Sequence, residues 1–319
     1  MHFRSLTDLA DIVRANLHKL PNDISLVVGI PRSGMVPAGM IALLMDRHLL
    51  DFESFLRGES PSKGTTRSIS ELPGPGDPRR VLIVEDSISS GRSIEAARKR
   101  VAEIYPHITP IYLAVIAAPH SSHLVDLAFD ICPLPRAFEW NLLNSWVCEE
   151  GAFDLDGVFC VDPTDTQNDD GPNYVKFLNE APVLRRPGKR LHRIITSRLS
   201  KYRSETEFWL SRTGIEFEKL DMLQGVTARE RSEQLLHAPF KAKLYAADSK
   251  ARIFIESDPS QAQLIASLSG KPVLDFTNMR IASPETLSVP YAARRSEMLV
   301  QNLKGMLQRK FRRIFHSGQ

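Results

Sequence analysis

The chain has 319 residues, of which 42% are hydrophobic and 25% charged, and its formal net charge is +3. This length predicts two domains, and the small net charge argues against nucleic acid as a partner. The three cysteines, Cys132, Cys148 and Cys160, have no metal-binding spacing and cannot all pair, so we expect a reducing, cytoplasmic environment.

Apolar residues recur at helical spacing over 6–18, and this predicts an opening helix. Short apolar runs at 26–30, 81–84 and 111–117 predict buried strands, separated by helix-favouring segments. This alternation predicts a parallel sheet flanked by helices, with right-handed crossovers. Residues 57–80 are rich in Gly, Pro, Ser and charge, and predict a long mobile loop.

The same alternation starts again in the second half of the chain. Strands are predicted at 191–196, 253–255 and 273–276, and helices at 203–212 and 260–268. No apolar run is long enough to span a bilayer. The fold class is therefore α/β, with two domains that each contain a mainly parallel sheet flanked by helices. The predicted segments are 1–140, 141–290 and a C-terminal helix over 291–319.

The segment VLIVEDSISSGRS at 81–93 places an acidic pair after a buried strand and a Ser/Gly-rich turn before a helix. Such a turn presents N–H groups and hydroxyls to an anion, and the helix N-terminus adds partial positive charge. Carboxylates suit hydroxyls or a hydrated divalent cation. An anion cradle beside a hydroxyl cradle suits a sugar phosphate. The acidic pair is Glu85 and Asp86, and the turn contributes Ser87, Ser89, Ser90, Gly91 and Ser93.

This segment resembles the motif of type I phosphoribosyltransferases that binds phosphoribosyl pyrophosphate (PRPP). The resemblance implies that Glu85 and Asp86 hold the ribose hydroxyls and that residues 87–93 hold the 5-phosphate. Asp86 is also a candidate catalytic base. The alternative is a phosphate loop for another ligand, or an ordinary turn. Purine-salvage members carry an acidic residue where this chain has Ser89, which argues against a purine acceptor.

A second loop, GIPRSG at 29–34, follows a strand as the pyrophosphate loop of that family does. Arg32 suits a bidentate phosphate contact. The predicted loop residues are Pro31, Arg32, Ser33 and Gly34. In the segment 57–80, Arg57, Lys63 and Arg67 either close over pyrophosphate or belong to a solvated loop.

The segment FDLDGV at 153–158 resembles the first motif of phosphatases of the haloacid dehalogenase (HAD) type. The resemblance implies that Asp154 is a nucleophile that forms an aspartyl-phosphate. It also implies that Asp156 protonates the leaving oxygen and then activates water, with Mg²⁺ bound beside both. The alternative is a calcium loop or a turn, since both also contain such a motif.

Later segments follow the order of the same family. Thr196 would hydrogen-bond the phosphoryl group, and Lys243, favoured over Lys241, would neutralise it. The short insertion before Thr196 predicts a minimal cap and an open site. The implied magnesium ligands are Asp154, Asp156, Glu256 and Asp258.

The tail at 294–315 has apolar residues at helical spacing and seven Lys or Arg residues. This pattern predicts a basic amphipathic helix. It either lies on the anionic inner face of the plasma membrane or packs on the second domain.

A transferase joined to a phosphatase would leave a plain ribofuranosyl group on its acceptor. The chain resembles bifunctional PRPP-dependent ribofuranosyltransferases of bacterial polysaccharide (O-antigen and capsule) clusters. That resemblance implies PRPP as the donor, a lipid-linked glycan hydroxyl as the acceptor, Mg²⁺ as the cofactor and inversion to a β-ribofuranoside. The alternatives are a nucleobase phosphoribosyltransferase coupled to a nucleotidase, and a PRPP sensor without catalysis.

Overall fold

The computed structural model describes residues 1–61, 80–224 and 236–283. The chain divides into two compact units, the first ending at Leu142 and the second beginning at Leu143. Most of the predicted loop over 57–80, with Lys63 and Arg67, and the whole predicted helix over 291–319 lie outside the described residues. In the described ranges, no helix has the length and apolar character needed to cross a membrane.

The first unit alternates strands and helices over most of its length. Its elements are β1 (His2–Arg4), α1 (Leu6–Asn16), β2 (Ile24–Gly29), α2 (Met35–Met45), β3 (His48–Asp51), α3 (Phe52–Leu56), β4 (Arg80–Ile88), α4 (Arg92–Ile104), β5 (Ile111–Ala117), β6 (Leu127–Ile131) and β7 (Arg136–Phe138).

Five strands of this unit form a parallel sheet in the order β3-β2-β4-β5-β6, and β1 pairs in parallel with β7. The strand order reverses between β2 and β4. In open sheets of this kind, ligands bind outside the carboxyl ends of the two strands at this switch point. The loops that follow β2 and β4 are the two loops that the sequence predicts as phosphate-binding.

Helices cover both faces of this sheet, because the apolar residues of its central strands alternate between two cores. Val27 and Leu82 belong to one buried cluster, and Val28 and Ile83 belong to the other. Continuous apolar runs are typical of strands buried on both faces. The opening helix α1 begins at a capping box formed by Ser5 with Asp8.

The second unit repeats this plan with a different strand order. Its elements are α5 (Val147–Glu150), β8 (Gly151–Phe153), α6 (Pro172–Glu180), β9 (Leu191–Leu199), α7 (Arg203–Thr213), β10 (Phe217–Leu223), α8 (His237–Ala246), β11 (Ile253–Glu256), α9 (Pro259–Ser269), β12 (Val273–Asp275) and β13 (Arg280–Ala282).

The sheet of the second unit has the order β10-β9-β8-β11-β12-β13, and only the β12–β13 pairing is antiparallel. Its switch point lies between β8 and β11. Asp154 follows β8 and Glu256 ends β11, so both residues lie where a ligand site is expected. The segment between β8 and β9 contains one helix, α6.

Candidate active sites

The loop after β2 lies against the backbone of β4. Ile30 N donates to Val84 O over 2.9 Å. An added Cβ at Gly34 would lie 2.6 Å from Ile30 O and 2.7 Å from Val84 O, so this approach requires glycine. Arg32 follows a cis peptide bond with Pro31, and its side chain is exposed. The loop therefore packs against the middle of β4, and its Arg32 guanidinium is exposed.

The acidic pair lies within β4, not at its end as the sequence predicts, because the strand continues through Ser87 to Ile88. Consecutive strand residues point to opposite faces. Asp86 is only 3% exposed, and its Oδ2 accepts hydrogen bonds from Trp140 Nε1 (2.7 Å) and Ser87 Oγ (3.2 Å).

Glu85 has a different environment from Asp86. Its Oε2 is buried and accepts no hydrogen bond. Burial, and then the adjacent charge of Asp86, raises the pKa of Glu85 to about 8. A buried acceptor without a donor is costly, so this oxygen fits a hydroxyl or a cation brought by a ligand.

The Ser/Gly-rich turn exposes its polar groups at the start of α4. Ser89, Ser90 and Ser93 are exposed, and Gly91 adopts φ +74° at the N-cap. A Cβ at Gly91 would also collide with Leu124. His120 Nε2 lies 2.9 Å from Ser89 O, which places an imidazole beside the turn. The arrangement fits an anion such as a phosphate.

Two residues that the sequence analysis does not propose support the acidic strand. Trp140 donates to Asp86, and Arg136 Nη2 donates to Ile88 O over 2.5 Å. Arg136 begins β7 and Trp140 follows it, both far along the chain from β4, and no local motif identifies them. Arg57 lies at the surface, where its Nε pairs with Glu59 Oε1 at 2.6 Å.

In the second unit, Lys241 joins two buried carboxylates. Its Nζ donates to Asp154 Oδ2 (2.6 Å), Glu256 Oε2 (2.7 Å) and Gln261 Oε1 (3.1 Å). Burial raises the pKa of both acids, that of Glu256 to about 8, although the Lys241 ammonium opposes the rise. Burial also acts to lower the pKa of Lys241, but its two acidic neighbours outweigh burial and raise it. Asp154, Glu256 and Lys241 thus form one charge-coupled cluster.

Asp156 is held by a buried arginine from β9. Arg198 is 1% exposed, and its Nη2 and Nε donate to Asp156 Oδ1 (2.6 Å) and Oδ2 (3.0 Å). Arg198 also donates to Cys160 Sγ and Thr206 Oγ1. Burial by itself would raise the pKa of Asp156, but the Arg198 guanidinium outweighs it and lowers that pKa. The sequence analysis gives Arg198 no role.

Three other residues that the sequence predicts for this site differ in burial and in their hydrogen bonds. The structure places Lys241, and not the favoured Lys243, beside Asp154, because Lys243 is exposed on the opposite side of α8. Thr196 is buried, and its Oγ1 accepts from Arg198 N at 3.3 Å. Asp258 is exposed and caps α9 by accepting from Gln261 N at 2.8 Å.

The magnesium ligands that the sequence predicts do not form one set in this arrangement. Among the residues that the structure describes, no three His, Cys, Asp or Glu side chains surround a common point. Asp156 is paired with Arg198, Asp258 is used as a cap, and the Lys241 ammonium lies between Asp154 and Glu256. Protein cations thus neutralise the carboxylates that a divalent ion would need.

A model of the phosphoribosyl transferase domain family matches residues 3–141. These limits coincide closely with the first unit, and the match includes both loops at its switch point. Residues 3–141 are therefore a type I phosphoribosyltransferase domain.

Several known proteins are similar to this part of the chain. The transcriptional regulator GfcR of Methanococcoides burtonii is 27% identical over 120 residues, which are 37% of this chain and 56% of that protein. The chain thus spans little more than half of that relative. A purine phosphoribosyltransferase from Pyrococcus horikoshii and a xanthine-guanine-hypoxanthine phosphoribosyltransferase from Helicobacter pylori are 17% and 16% identical. Each alignment covers 44% of this chain and 92% of the other, with a TM-score of 0.33.

Proposed function

We propose that the chain is a bifunctional enzyme that transfers 5-phosphoribosyl from PRPP to an acceptor and then removes the 5-phosphate. The observation that carries the proposal is the presence of two sites in one chain, each at a switch point. One site combines an acidic pair with two anion-binding loops. The other site has a buried Asp154–Lys241–Glu256 cluster.

In the first step, the bond between C1 of the ribose and the pyrophosphate oxygen breaks, and an acceptor atom bonds to C1 from the opposite face. Arg32 and the loop after β2 would bind the departing pyrophosphate. Glu85 and Asp86 would hold the ribose hydroxyls, with Asp86 as the candidate base. Phosphoribosyltransferases generally use Mg²⁺ with PRPP, and Glu85 Oε2 is a buried oxygen suited to such a complex.

In the second step, an oxygen of Asp154 would attack the 5-phosphate, and Lys241 would offset the repulsion between two anions. Thr196 would contact the phosphoryl group through its hydroxyl, whose oxygen accepts from Arg198 N. As the bond from Asp154 to phosphorus forms, the bond from phosphorus to the ribose 5-oxygen breaks, and Asp156 would give that oxygen a proton. Water would then attack the aspartyl-phosphate, give a proton to Asp156 and release inorganic phosphate. The pair with Arg198, which contacts both oxygens of Asp156, lowers the basicity of this carboxylate and would have to open for these transfers.

The acceptor that we propose is a sugar hydroxyl of a glycan, in a lipid-linked form. Removal of the 5-phosphate leaves a plain β-ribofuranoside, which a polymer of sugars can carry. A salvage enzyme, in contrast, has no use for an activity that destroys its nucleotide.

A nucleobase acceptor is the second candidate, and one specific observation favours it. The partly exposed ring of Trp140 lies at Asp86 and stacks on Phe138 at 4.8 Å with an interplanar angle of 4°. An aromatic ring beside the ribose site could bind a flat base. The third candidate is a PRPP sensor without catalysis, and the observation that favours it is the similarity to a protein named as a transcriptional regulator.

The test uses wild type and Asp154→Asn, with Asp165→Asn as a control at an exposed position. Each protein is incubated with PRPP, Mg²⁺ and a panel of glycoside and nucleobase acceptors, and products are read by mass spectrometry. We expect a glycoside with phosphopentose from Asp154→Asn, and with bare pentose from wild type and the control. Reaction of nucleobases alone supports the second candidate. PRPP binding without any product supports the sensor.

A further inference from the structure

Residues 136–140 contact β4 through two side chains. Arg136 donates to Ile88 O at the end of β4, and Trp140 donates to Asp86 Oδ2. Phe138 lies between them, stacked on Trp140 and with Arg136 over its ring at 5.3 Å. Alternate residues of one short segment thus support the strand that carries the acidic pair.

We infer that Trp140 is a positioning residue that fixes the Asp86 carboxylate for recognition of the ribose of PRPP. This inference rests on the proposed function of the first unit. Asp86 is 3% exposed, so its carboxylate must take its hydrogen bonds from the protein or a ligand. Trp140 gives it a short bond of 2.7 Å from an indole that the Phe138 ring holds in place.

The indole N–H fixes the orientation of the carboxylate before the ligand arrives. Indole donates and never accepts, so its partner must be an acceptor such as a carboxylate oxygen. The Ser87 hydroxyl can rotate, and its hydrogen bond to Asp86 Oδ2 is longer, at 3.2 Å, so it constrains the carboxylate less. A carboxylate that is fixed in advance loses less freedom when ribose hydroxyls bind to it. Trp140 therefore acts through Asp86.

The test is Trp140→Phe, which keeps an aromatic ring on Phe138 and removes the N–H donor together with part of the indole ring. Trp209→Phe is the matched control, because Trp209 Nε1 donates to Ala181 O in the second unit. Binding of ribose 5-phosphate and of inorganic phosphate is measured by calorimetry for the otherwise wild-type chain, both variants, Asp86→Asn and the double variant Trp140→Phe/Asp86→Asn. Each protein also carries Asp154→Asn, so that the proposed phosphatase does not hydrolyse the probe.

We expect Trp140→Phe to weaken ribose 5-phosphate binding by roughly 10- to 100-fold, the range for a hydrogen bond to a charged group. Inorganic phosphate should bind unchanged, because its loop is intact, and Trp209→Phe should match wild type for both probes. In the Asp86→Asn background, the Trp140 substitution should add little.

The inference would be overturned if Trp140→Phe weakened the binding of both probes equally, or of neither. The proposed function would still stand in that case, provided that the wild-type chain binds ribose 5-phosphate. A wild-type chain that binds neither ribose 5-phosphate nor PRPP would overturn both.

Discussion

Arg198 Nη2 lies 2.6 Å from Asp156 Oδ1, and both partners are inside the second unit. A buried ion pair is costly to break by removing one partner, because the remaining charge is left without compensation. The pair thus ties β9 to the loop after β8. Its geometry makes Arg198 the residue on which the placement of Asp156 depends.

We predict that Arg198→Met lowers the free energy of unfolding of the second unit by about 3–5 kcal/mol. The measurement is urea unfolding followed by the fluorescence of Trp209, a buried residue of that unit. Arg203→Met is the control, because the Arg203–Glu207 pair is exposed and should contribute less than about 1 kcal/mol. A similar loss in both variants would contradict this prediction.

We predict that Lys241→Met lowers the rate of the proposed phosphatase reaction by on the order of 10²–10³-fold, because it removes the cation beside Asp154. Lys243→Met should leave the rate within a factor of about two, since Lys243 is exposed. Both are measured as phosphate release from ribose 5-phosphate. The reverse pattern would show that Lys243 is the residue that acts, as the sequence analysis favours.

We predict that affinity for ribose 5-phosphate rises between about pH 7 and 8 and levels off above. Glu85 has a pKa of about 8, and its ionised form is the one that only accepts hydrogen bonds. The rise should approach tenfold per pH unit below that pKa. Glu85→Gln should show a flat profile over the same range by calorimetry, and a slope that persists in this variant would assign the effect to another group.

The raised pKa of Glu85 also predicts in which direction the stability of the protein changes with pH. The pKa of folded Glu85 is raised from 4.5 to about 8, so its contribution to stability is complete below pH 4.5 and is lost as the pH rises through 8. Glu256 has a raised pKa of similar size and adds the same trend. The difference in unfolding free energy between wild type and Glu85→Gln isolates the part that belongs to Glu85.

We predict that Gly34→Ala disrupts the loop after β2, because its Cβ would meet two backbone oxygens that cannot move independently of the sheet. PRPP binding should fall by at least about tenfold, with a loss of stability of about 1–3 kcal/mol. Gly39→Ala is the matched control. Gly39 lies inside α2, and an added Cβ would meet only Leu49 Cδ2, at 3.8 Å. This substitution should therefore stabilise the helix by about 0.5–1 kcal/mol.

Much of the first unit could be predicted from the sequence, because its signals are local. Apolar runs identified β2, β4 and β5, and the Ser/Gly turn identified the start of α4. The edge strands β3 and β6 were not predicted, since each is short and only partly buried. The length of β4 was also underestimated, because Glu85 and Asp86 are unusual within a strand and only sheet pairing with β5 keeps them there.

The contacts of both sites were harder to predict, because they join residues far apart in sequence. Trp140 reaches Asp86 across 54 positions, and Lys241 reaches Asp154 across 87. On α8, two lysines stand two positions apart, and only the helical phase decides which one is buried. Sequence spacing narrowed the choice to that pair, and the sequence analysis favoured Lys243, whereas the structure places Lys241 beside Asp154.

The pairing of β1 with β7 has a consequence for the order in which the protein forms. His2 is synthesised before its partner Arg136, which follows 134 residues later. At about 5–20 residues per second, β1 waits for roughly 7–27 s before its partner exists. The segment that supports Asp86 arrives at the same late moment. The ribose site therefore becomes complete only as the last part of the first unit is synthesised, and a nascent chain shorter than this should bind phosphate before it can recognise a sugar.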